Sequence, residues 1–400
     1  MKTSTIGSHA ITRLFWRVVR HPRIAAKLVR LQADKRLFRL LNSRASIGCA
    51  GKIHQLSIRI TDVCNLRCAT CGQWGEKGFL QNASLKELKR NEVPPARYKE
   101  ILADLAEHGQ FPMVYFWGGE PMLYPGTVDL IEQCAKFGMP TSIATNGTGI
   151  AAAAARLREA PLFLLQVSID GPNAEIHNRI RPAASGADNY ADIQKGLAAV
   201  AGGRRKGLPL IASLTTIGRE NSLHLTAIYE SLRGKVDVSV FYLSWWIDEA
   251  AAVRHEEDFA RRFGFKPGLH RGWIGSWKPD NYSGLDAQLR ALAELSRRKD
   301  MPALVIMPSI LGEENLRRYY TDHAERFGFD ECISIFQAAE VNSNGDVSPC
   351  RDYHDYVVGN IKQATLTELW NSEPYRKFRR SIRNEGLMPV CSRCCGLMGY

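Results

Sequence analysis

Between residues 55 and 243 the chain repeats one alternation six times, and this limits the folds open to it. Apolar runs at 55–61, 112–117, 139–145, 162–169, 209–216 and 236–243 read as strands. Amphipathic stretches at 96–108, 126–137, 150–158, 189–201 and 222–233 fall between them. Strands alternating with helices predict a parallel sheet, because parallel neighbours need a long crossover and a helix supplies it. Chemistry in such folds collects on the loops at the C-terminal strand ends.

The loop after the first strand carries three thiols, Cys64, Cys68 and Cys71, behind the alternating run Leu56-Ser57-Ile58-Arg59-Ile60-Thr61. That alternation reads as a half-buried strand. Three closely spaced thiolates can hold three irons of a [4Fe–4S] cluster, which normally takes four cysteines. The fourth iron then stays open to a small molecule. A zinc site or three reduced core thiols are the alternatives; structural zinc takes four ligands, usually in C-x2-C pairs, and this spacing fits it poorly.

Cys-x3-Cys-x2-Cys after a first strand resembles the cluster motif of the radical S-adenosylmethionine (SAM) enzymes. The resemblance implies that the open iron binds the amino and carboxylate groups of SAM. Cleavage of SAM then yields a 5′-deoxyadenosyl radical that abstracts hydrogen from a substrate. It also implies a partial (β/α)6 TIM-like barrel and a reductase, flavodoxin or ferredoxin as electron donor. Thr70 departs from the family, where an aromatic residue often precedes the third cysteine and packs on adenine.

Further motifs follow at later strand ends. Gly118-Gly119-Glu120-Pro121 resembles the family's Gly-Gly-Glu-Pro, whose backbone and Glu receive the SAM amino group. Thr145-Asn146-Gly147 matches a Thr-Asn-Gly seen in many members and shapes the site. Ser168-Ile169-Asp170-Gly171 with His177-Asn178-Arg179-Ile180-Arg181 resembles a signature of members with C-terminal auxiliary clusters. By that match Ser168 hydrogen-bonds SAM and Arg181 pairs with its carboxylate, as a guanidinium fork can. Asn178 replaces the usual Asp, and Arg179 competes with Arg181 for the ion pair. After the sixth strand, Tyr242-Leu243-Ser244-Trp245-Trp246 either lines a substrate pocket or covers the barrel core.

Toward the C-terminus, Cys332, Cys350, Cys391 and Cys394 form a second group, with Cys395 able to replace Cys394. Four thiols suit a closed [4Fe–4S] site or zinc. Cys-x12-Gly-x4-Cys, followed by Gly-Asn-Ile and Leu-x-x-Leu-Trp, resembles the SPASM or shorter twitch extension of radical SAM enzymes. This implies one auxiliary [4Fe–4S] cluster. Asp346, Asp352, Tyr353 and His354 lie near it in sequence, but nothing singles out a catalytic residue. Cys49 and Cys134 read as ordinary thiols.

Charge is informative once located. Residues 1–52 hold twelve Lys and Arg against the single acid Asp34, whereas the rest of the chain is nearly balanced. A broadly basic nucleic-acid-binding surface is therefore not expected. Ile11, Leu14, Phe15, Val18 and Val19 recur at helical spacing before Pro22, and Ile24, Leu28, Leu31, Leu37, Leu40 and Leu41 after it, with Arg and Lys interleaved. Three readings stay open: an arm on anionic membrane through residues 1–46, an extension packed on the barrel, or a transit peptide. No apolar run is long enough for a spanning helix, and no signal peptide is recognisable.

The expected organisation is an arm at 1–52, a core barrel at 53–250, a linker or substrate-side region at 251–327 and an auxiliary-cluster domain at 328–400. The expected function is a radical SAM oxidoreductase acting on a lipid or other membrane-associated small molecule, placed in the cytoplasm with peripheral membrane contact. A maturase of a ribosomally made peptide and a non-catalytic iron–sulfur electron carrier are the alternatives.

Overall fold

The computed structural model describes residues 15, 16, 18–40, 47–204, 207–275, 277–352 and 354–398. Its strands are β1 (Gln55–Thr61), β2 (Met113–Gly118), β3 (Thr141–Thr145), β4 (Leu162–Ser168), β5 (Leu210–Ile217), β6 (Val238–Leu243), β7 (Ala303–Met307), β8 (Ala338–Val341), β9 (Asp346–Ser348) and β10 (Gly359–Asn360). They form one sheet in the order β10-β9-β8-β1-β2-β3-β4-β5-β6-β7. Strands β1 to β7 run parallel to their neighbours. Each of the six strands read from the sequence is present, and the fold is an α/β partial barrel.

Two features differ from expectation. Residues 251–327 are not a linker: they add helices Tyr282–Leu295 and Glu313–Thr321 around a seventh parallel strand, β7, beside β6. The strand is the apolar run Ala303–Met307, closed at each end by Pro302 and Pro308. So short a run lacks a period that separates strand from buried helix. The C-terminal region also shares the barrel's sheet, because β8 pairs in parallel with β1 and β9 returns antiparallel to β8.

β1 is buried on both faces, not half-buried as its alternation suggested. Leu56, Ile58 and Ile60 join the apolar core, each contributing roughly 1.5–3 kcal/mol by burial. Ser57, Arg59 and Thr61 turn to the other side, where polar partners satisfy them. Arg59 Nε pairs with Asp62 at 3.0 Å, and its Nη1 lies 2.9 Å from His354 Nε2. Asp62 accepts from Ser343 Oγ at 2.6 Å. The alternation therefore separates core from a polar interior that ties the end of β1 to residues 343–354.

The helix Pro22–Leu40 lies against the barrel at the N-terminal strand ends. Lys27 Nζ donates to the Phe111 carbonyl at 2.9 Å, just before β2, and to that of Gly138 at 2.8 Å, before β3. Burial lowers the Lys27 pKa to about 8. Asp34 faces His54 at 3.3 Å. Ile24, Leu28 and Leu31 are half-buried on this side, while Val29 is 70% exposed on the other. For this helix the extension packed on the barrel is the reading that holds. Ile11, Arg13, Leu14, Arg17 and Leu41 lie outside the described residues, as do the side chains of Leu37 and Leu40.

Candidate active site

The cysteine loop is shaped by the segment that follows β4. Helix Ala174–Ile180 starts at Asn173, whose side chain caps the Ile176 N–H at 3.1 Å. It stops at Arg181 because Pro182 cannot continue it. The chain beyond then bonds to the loop: Arg67 N–H to the Pro182 carbonyl, Ala69 N–H to that of Ile180, and Ala184 N–H to that of Asn65, each at 2.9 Å. The guanidinium of Arg67 lies 4.3 Å from the Trp74 ring, and the Trp74 indole N–H donates to the Asp62 carbonyl at 2.7 Å. These bonds fix the loop and place Arg181 against it.

Cys64, Cys68 and Cys71 line one cavity of about 240 Å³, and all three are free thiols. Donors surround the sulfurs. The Leu66 N–H points at Cys64 Sγ and the Trp74 N–H at Cys71 Sγ, both at 3.4 Å. Asn146 Nδ2 is 4.0 Å from Cys64 Sγ and Arg181 Nη1 is 3.7 Å from Cys68 Sγ. Burial nevertheless pushes the Cys64 thiol up to about 11 and that of Cys68 up to about 12, with Arg181 opposing it at Cys68. Buried sulfurs ringed by donors yet reluctant to ionise fit thiolates that a metal cluster neutralises. Among the described residues, no three Cys, His, Asp or Glu side chains converge as a site for a single metal ion.

Ser168 and Arg181 line the same cavity. Arg181 Nε donates to Asp170 Oδ2 at 2.6 Å, both side chains being largely buried. Burial works against the guanidinium charge, but Asp170 outweighs it and raises the Arg181 pKa. Arg179 instead lies outside, paired at the surface with Glu175 and Glu220. The structure thus brings Arg181, and not Arg179, to the site.

Gly118 and Gly119 line the cavity, but what demands glycine is the chain behind them. A Cβ on Gly118 would lie 2.3 Å from the Thr61 carbonyl oxygen, and one on Gly119 2.3 Å from that of Val63. The Gly119 and Glu120 N–H groups bond those carbonyls at 2.8 Å. Glu120 does not line the cavity. Fully buried, it accepts from Met122 N–H at 3.0 Å, Thr145 Oγ1 at 2.6 Å and Asn146 N–H at 2.7 Å. Its carboxylate clamps the end of β2 to that of β3 and leaves contact with a ligand to the neighbouring backbone.

Aromatic side chains complete the wall: Trp74, Tyr115, Trp117, Trp245, Trp246 and Trp273. Trp245 and Trp246 therefore line a pocket, while Leu243 is buried in the core. Trp273, which sequence reading missed, lies on the cysteine loop, where a Cβ on Gly72 would fall 2.7 Å from its ring. Thr70, Cys71, Thr216 and Trp246 are shared with an adjoining cleft of about 310 Å³ that includes Lys77, Arg219 and Glu220.

The second cysteine group meets around Asp352. Cys394 Sγ is 3.1 Å and Cys395 Sγ 3.6 Å from Asp352 Oδ2. Burial raises the Cys394 thiol, and Asp352, Cys395, Cys350 and Cys391 raise it further. Cys391 is raised to about 12 by burial and by Cys332. Cys395 instead faces Asp352, Arg351 and Glu340. Cys332, Cys350, Cys391 and Cys394 can thus hold one cluster, with Cys395 beside them. Arg351 pairs with Glu340 and stacks 5.1 Å from the Tyr115 ring and 5.5 Å from that of Trp117, so this group abuts the first cavity's wall. His354 is bound to Arg59, and Tyr353 lies outside the described residues.

Residues 58–201 match the Radical SAM superfamily, and residues 332–395 match SPASM, an iron–sulfur cluster-binding domain. An AdoMet-dependent heme synthase of Methanosarcina barkeri is 26% identical over 336 residues, 83% of this chain and 86% of that protein. A tungsten-containing aldehyde ferredoxin oxidoreductase cofactor-modifying protein of Pyrococcus furiosus is 22% identical over 85% of this chain and 86% of its own. Among solved structures, Streptococcus suis SuiB bound to S-adenosylmethionine aligns with a TM-score of 0.58 at 14% identity, covering 88% of this chain and 75% of that one. The enzyme anSMEcpe with bound AdoMet gives 0.56 at 20% identity, over 82% and 80%. At these identities the solved structures establish a common fold.

Proposed function

The chain is a radical SAM enzyme with a C-terminal SPASM domain, and from that premise we propose that it is an oxidoreductase removing hydrogen from an apolar, ring-bearing small molecule. When bound, the [4Fe–4S] cluster and SAM supply a reductive cleavage that yields the hydrogen-abstracting 5′-deoxyadenosyl radical. In this reading Cys64, Cys68 and Cys71 hold the cluster. The Arg181 guanidinium, fixed by Asp170, receives the SAM carboxylate. Ser168 and the backbone at Gly118 and Gly119 complete its cradle. Cys332, Cys350, Cys391 and Cys394 hold one auxiliary cluster.

The observation that carries the reading is the convergence of the three thiols, Arg181 and Ser168 on one aromatic-walled cavity. Its indole and phenol faces favour a flat apolar substrate and keep water from the reacting atoms. A lipid substrate drew its support from the basic arm. With Lys27 bound to two barrel carbonyls, that support is gone for the helix Pro22–Leu40. No described helix is long and apolar enough to cross a membrane. Modification of a ribosomally made peptide is the second reading, favoured by the cavity's continuity with the cleft at Lys77, Arg219 and Glu220. A bare electron carrier has no use for a substrate-sized aromatic chamber, and the relatives are named as enzymes.

Anaerobically reconstituted protein given SAM and dithionite tests the reading. It should form 5′-deoxyadenosine, and the variant with Cys64, Cys68 and Cys71 replaced by Ala should form none. Equal product from both would refute it.

A further inference from the structure

A second chamber of about 250 Å³ opens beyond Trp246, sharing Ser244 and Trp246 with the cysteine-lined cavity. We propose that it is a carboxylate-binding subsite for the substrate, with Ser244, Tyr320 and Lys278 as donors. The inference rests on the function proposed above, to which it adds the substrate's second anchor.

The donors come from separate elements: Ser244 follows β6, Lys278 stands in the loop after Gly275, and Tyr320 lies near the end of helix Glu313–Thr321. The hydroxyls of Ser244 and Tyr320 are both more than nine-tenths buried and face each other. Neither closes a well-formed hydrogen bond. A buried hydroxyl without a partner is costly and uncommon, so two of them on one chamber wall are groups awaiting a ligand.

Charge selects the ligand's sign. Lys278 lines the chamber with its side chain exposed and has no carboxylate partner among the described residues. The chamber's one carboxylate, Asp248, is already engaged: it caps the Ala251 N–H at 2.6 Å and faces His323 Nδ1 at 3.2 Å. Behind Tyr319, 4.5 Å from its ring, the guanidinium of Arg393 is buried with only backbone carbonyls as acceptors. Buried cations are ordinarily paired, and this one leaves a positive field at the chamber wall.

The rest of the chamber suits an apolar body. Trp246 and Trp277 supply ring faces. The Trp246 ring is seated on Gly275, where a Cβ would lie 2.3 Å from it, and its carbonyl faces His323 Nε2 at 3.0 Å. A ring-bearing substrate with a short carboxylate arm would place its body in the first cavity and its carboxylate here.

Ligand-observed 19F NMR on the anaerobic, cluster-loaded enzyme tests this, with 4-[4-(trifluoromethyl)phenyl]butyrate and its primary amide as probes. The carboxylate should bind about tenfold tighter than the amide, as one charge-assisted contact implies. Lys278→Gln and Tyr320→Phe should each erase most of that preference, with iron content and SAM binding unchanged. Equal affinity for the two probes, or a preference untouched by both substitutions, would overturn the subsite. If discrimination persists while no 5′-deoxyadenosine forms, the subsite stands and the proposed reaction falls.

Discussion

Arg181 Nε donates to Asp170 Oδ2 across 2.6 Å, and the same guanidinium reaches Cys68 Sγ through Nη1 at 3.7 Å. One side chain thus joins the end of β4 to the cysteine loop. Arg181→Ala should weaken SAM binding by about 1.5–3 kcal/mol, roughly 10–150-fold. It also strands a buried carboxylate, so about 3–5 kcal/mol of stability should go with it. The double variant Asp170→Asn/Arg181→Met leaves no such charge and should still bind SAM weakly. Arg179→Ala, at an exposed pair, should change neither measurement appreciably. SAM titrations that single out Arg179 would reverse the assignment.

Glu120 yields a different expectation from the one its motif suggests. Its carboxylate serves three protein donors, so Glu120→Ala should act first on stability, at about 1–3 kcal/mol for each donor left unpaired. Gly119→Ala should be worse for the site, since its Cβ meets the Val63 carbonyl next to Cys64. Iron analysis should then show the first cluster lost and the auxiliary iron kept. Full iron occupancy with normal SAM cleavage in Gly119→Ala would contradict this.

The six strands and the three thiols were legible because periodicity and close spacing are local properties. What escaped was set by distant partners. Thr145 and Asn146, which claim Glu120, lie 25 and 26 residues beyond it. Trp273 reaches Gly72 across about two hundred residues, and no composition signal announces it. Strand β8 pairs with β1 from the far end of the chain. The polar face of β1 was visible as Ser57, Arg59 and Thr61, but that it meets residues 343–354 rather than water depends on that pairing.

The two cysteine groups should load about eight irons per chain as two [4Fe–4S] clusters. Replacing Cys64, Cys68 and Cys71 with Ala should remove about half the iron. Within the second group, Cys394 is the thiol near Cys350 and Cys391, whereas Cys395 faces Arg351 and Glu340. Cys394→Ser should therefore lose the auxiliary iron, and Cys395→Ser should keep it. Metal analysis that finds zinc in this site would refute the auxiliary cluster and spare the first one.

His177 gives stability a pH dependence with a definite sign. Burial, helped by Arg181, depresses its pKa to about 3, and its Nδ1 accepts from the Asp170 N–H at 3.2 Å. The folded state refuses a proton that the unfolded chain takes below about pH 6.5. Stability should be level above that pH and fall as pH drops from about 6.5 toward 3, by up to about 1.4 kcal/mol per unit for this group. His255, also depressed to about 3 by burial, acts in the same direction. Denaturant melts of His177→Gln should show a shallower acid slope than the parent; an identical slope would remove His177 from the account.

The last prediction concerns the helix Pro22–Leu40, whose basic residues suit an anionic lipid surface as well as solvent. Its placement decides between the two. Lys27 donates to the carbonyls of Phe111 and Gly138, and Asp34 faces His54, so the helix is bound to the mouths of β1, β2 and β3. Leu31 lies there beside Ile53, Phe111 and Met113. Removing residues 1–46 uncovers that apolar surface and should make the protein aggregate, with burial of each lost aliphatic side chain worth roughly 1.5–3 kcal/mol. Lys27→Ala should destabilise by about 1–3 kcal/mol, because two half-buried carbonyls lose their donor. The full chain should not sediment with phosphatidylserine vesicles. Salt-sensitive sedimentation, abolished by a deletion that leaves a soluble protein with both clusters, would return the arm to the membrane and restore the case for a lipid substrate.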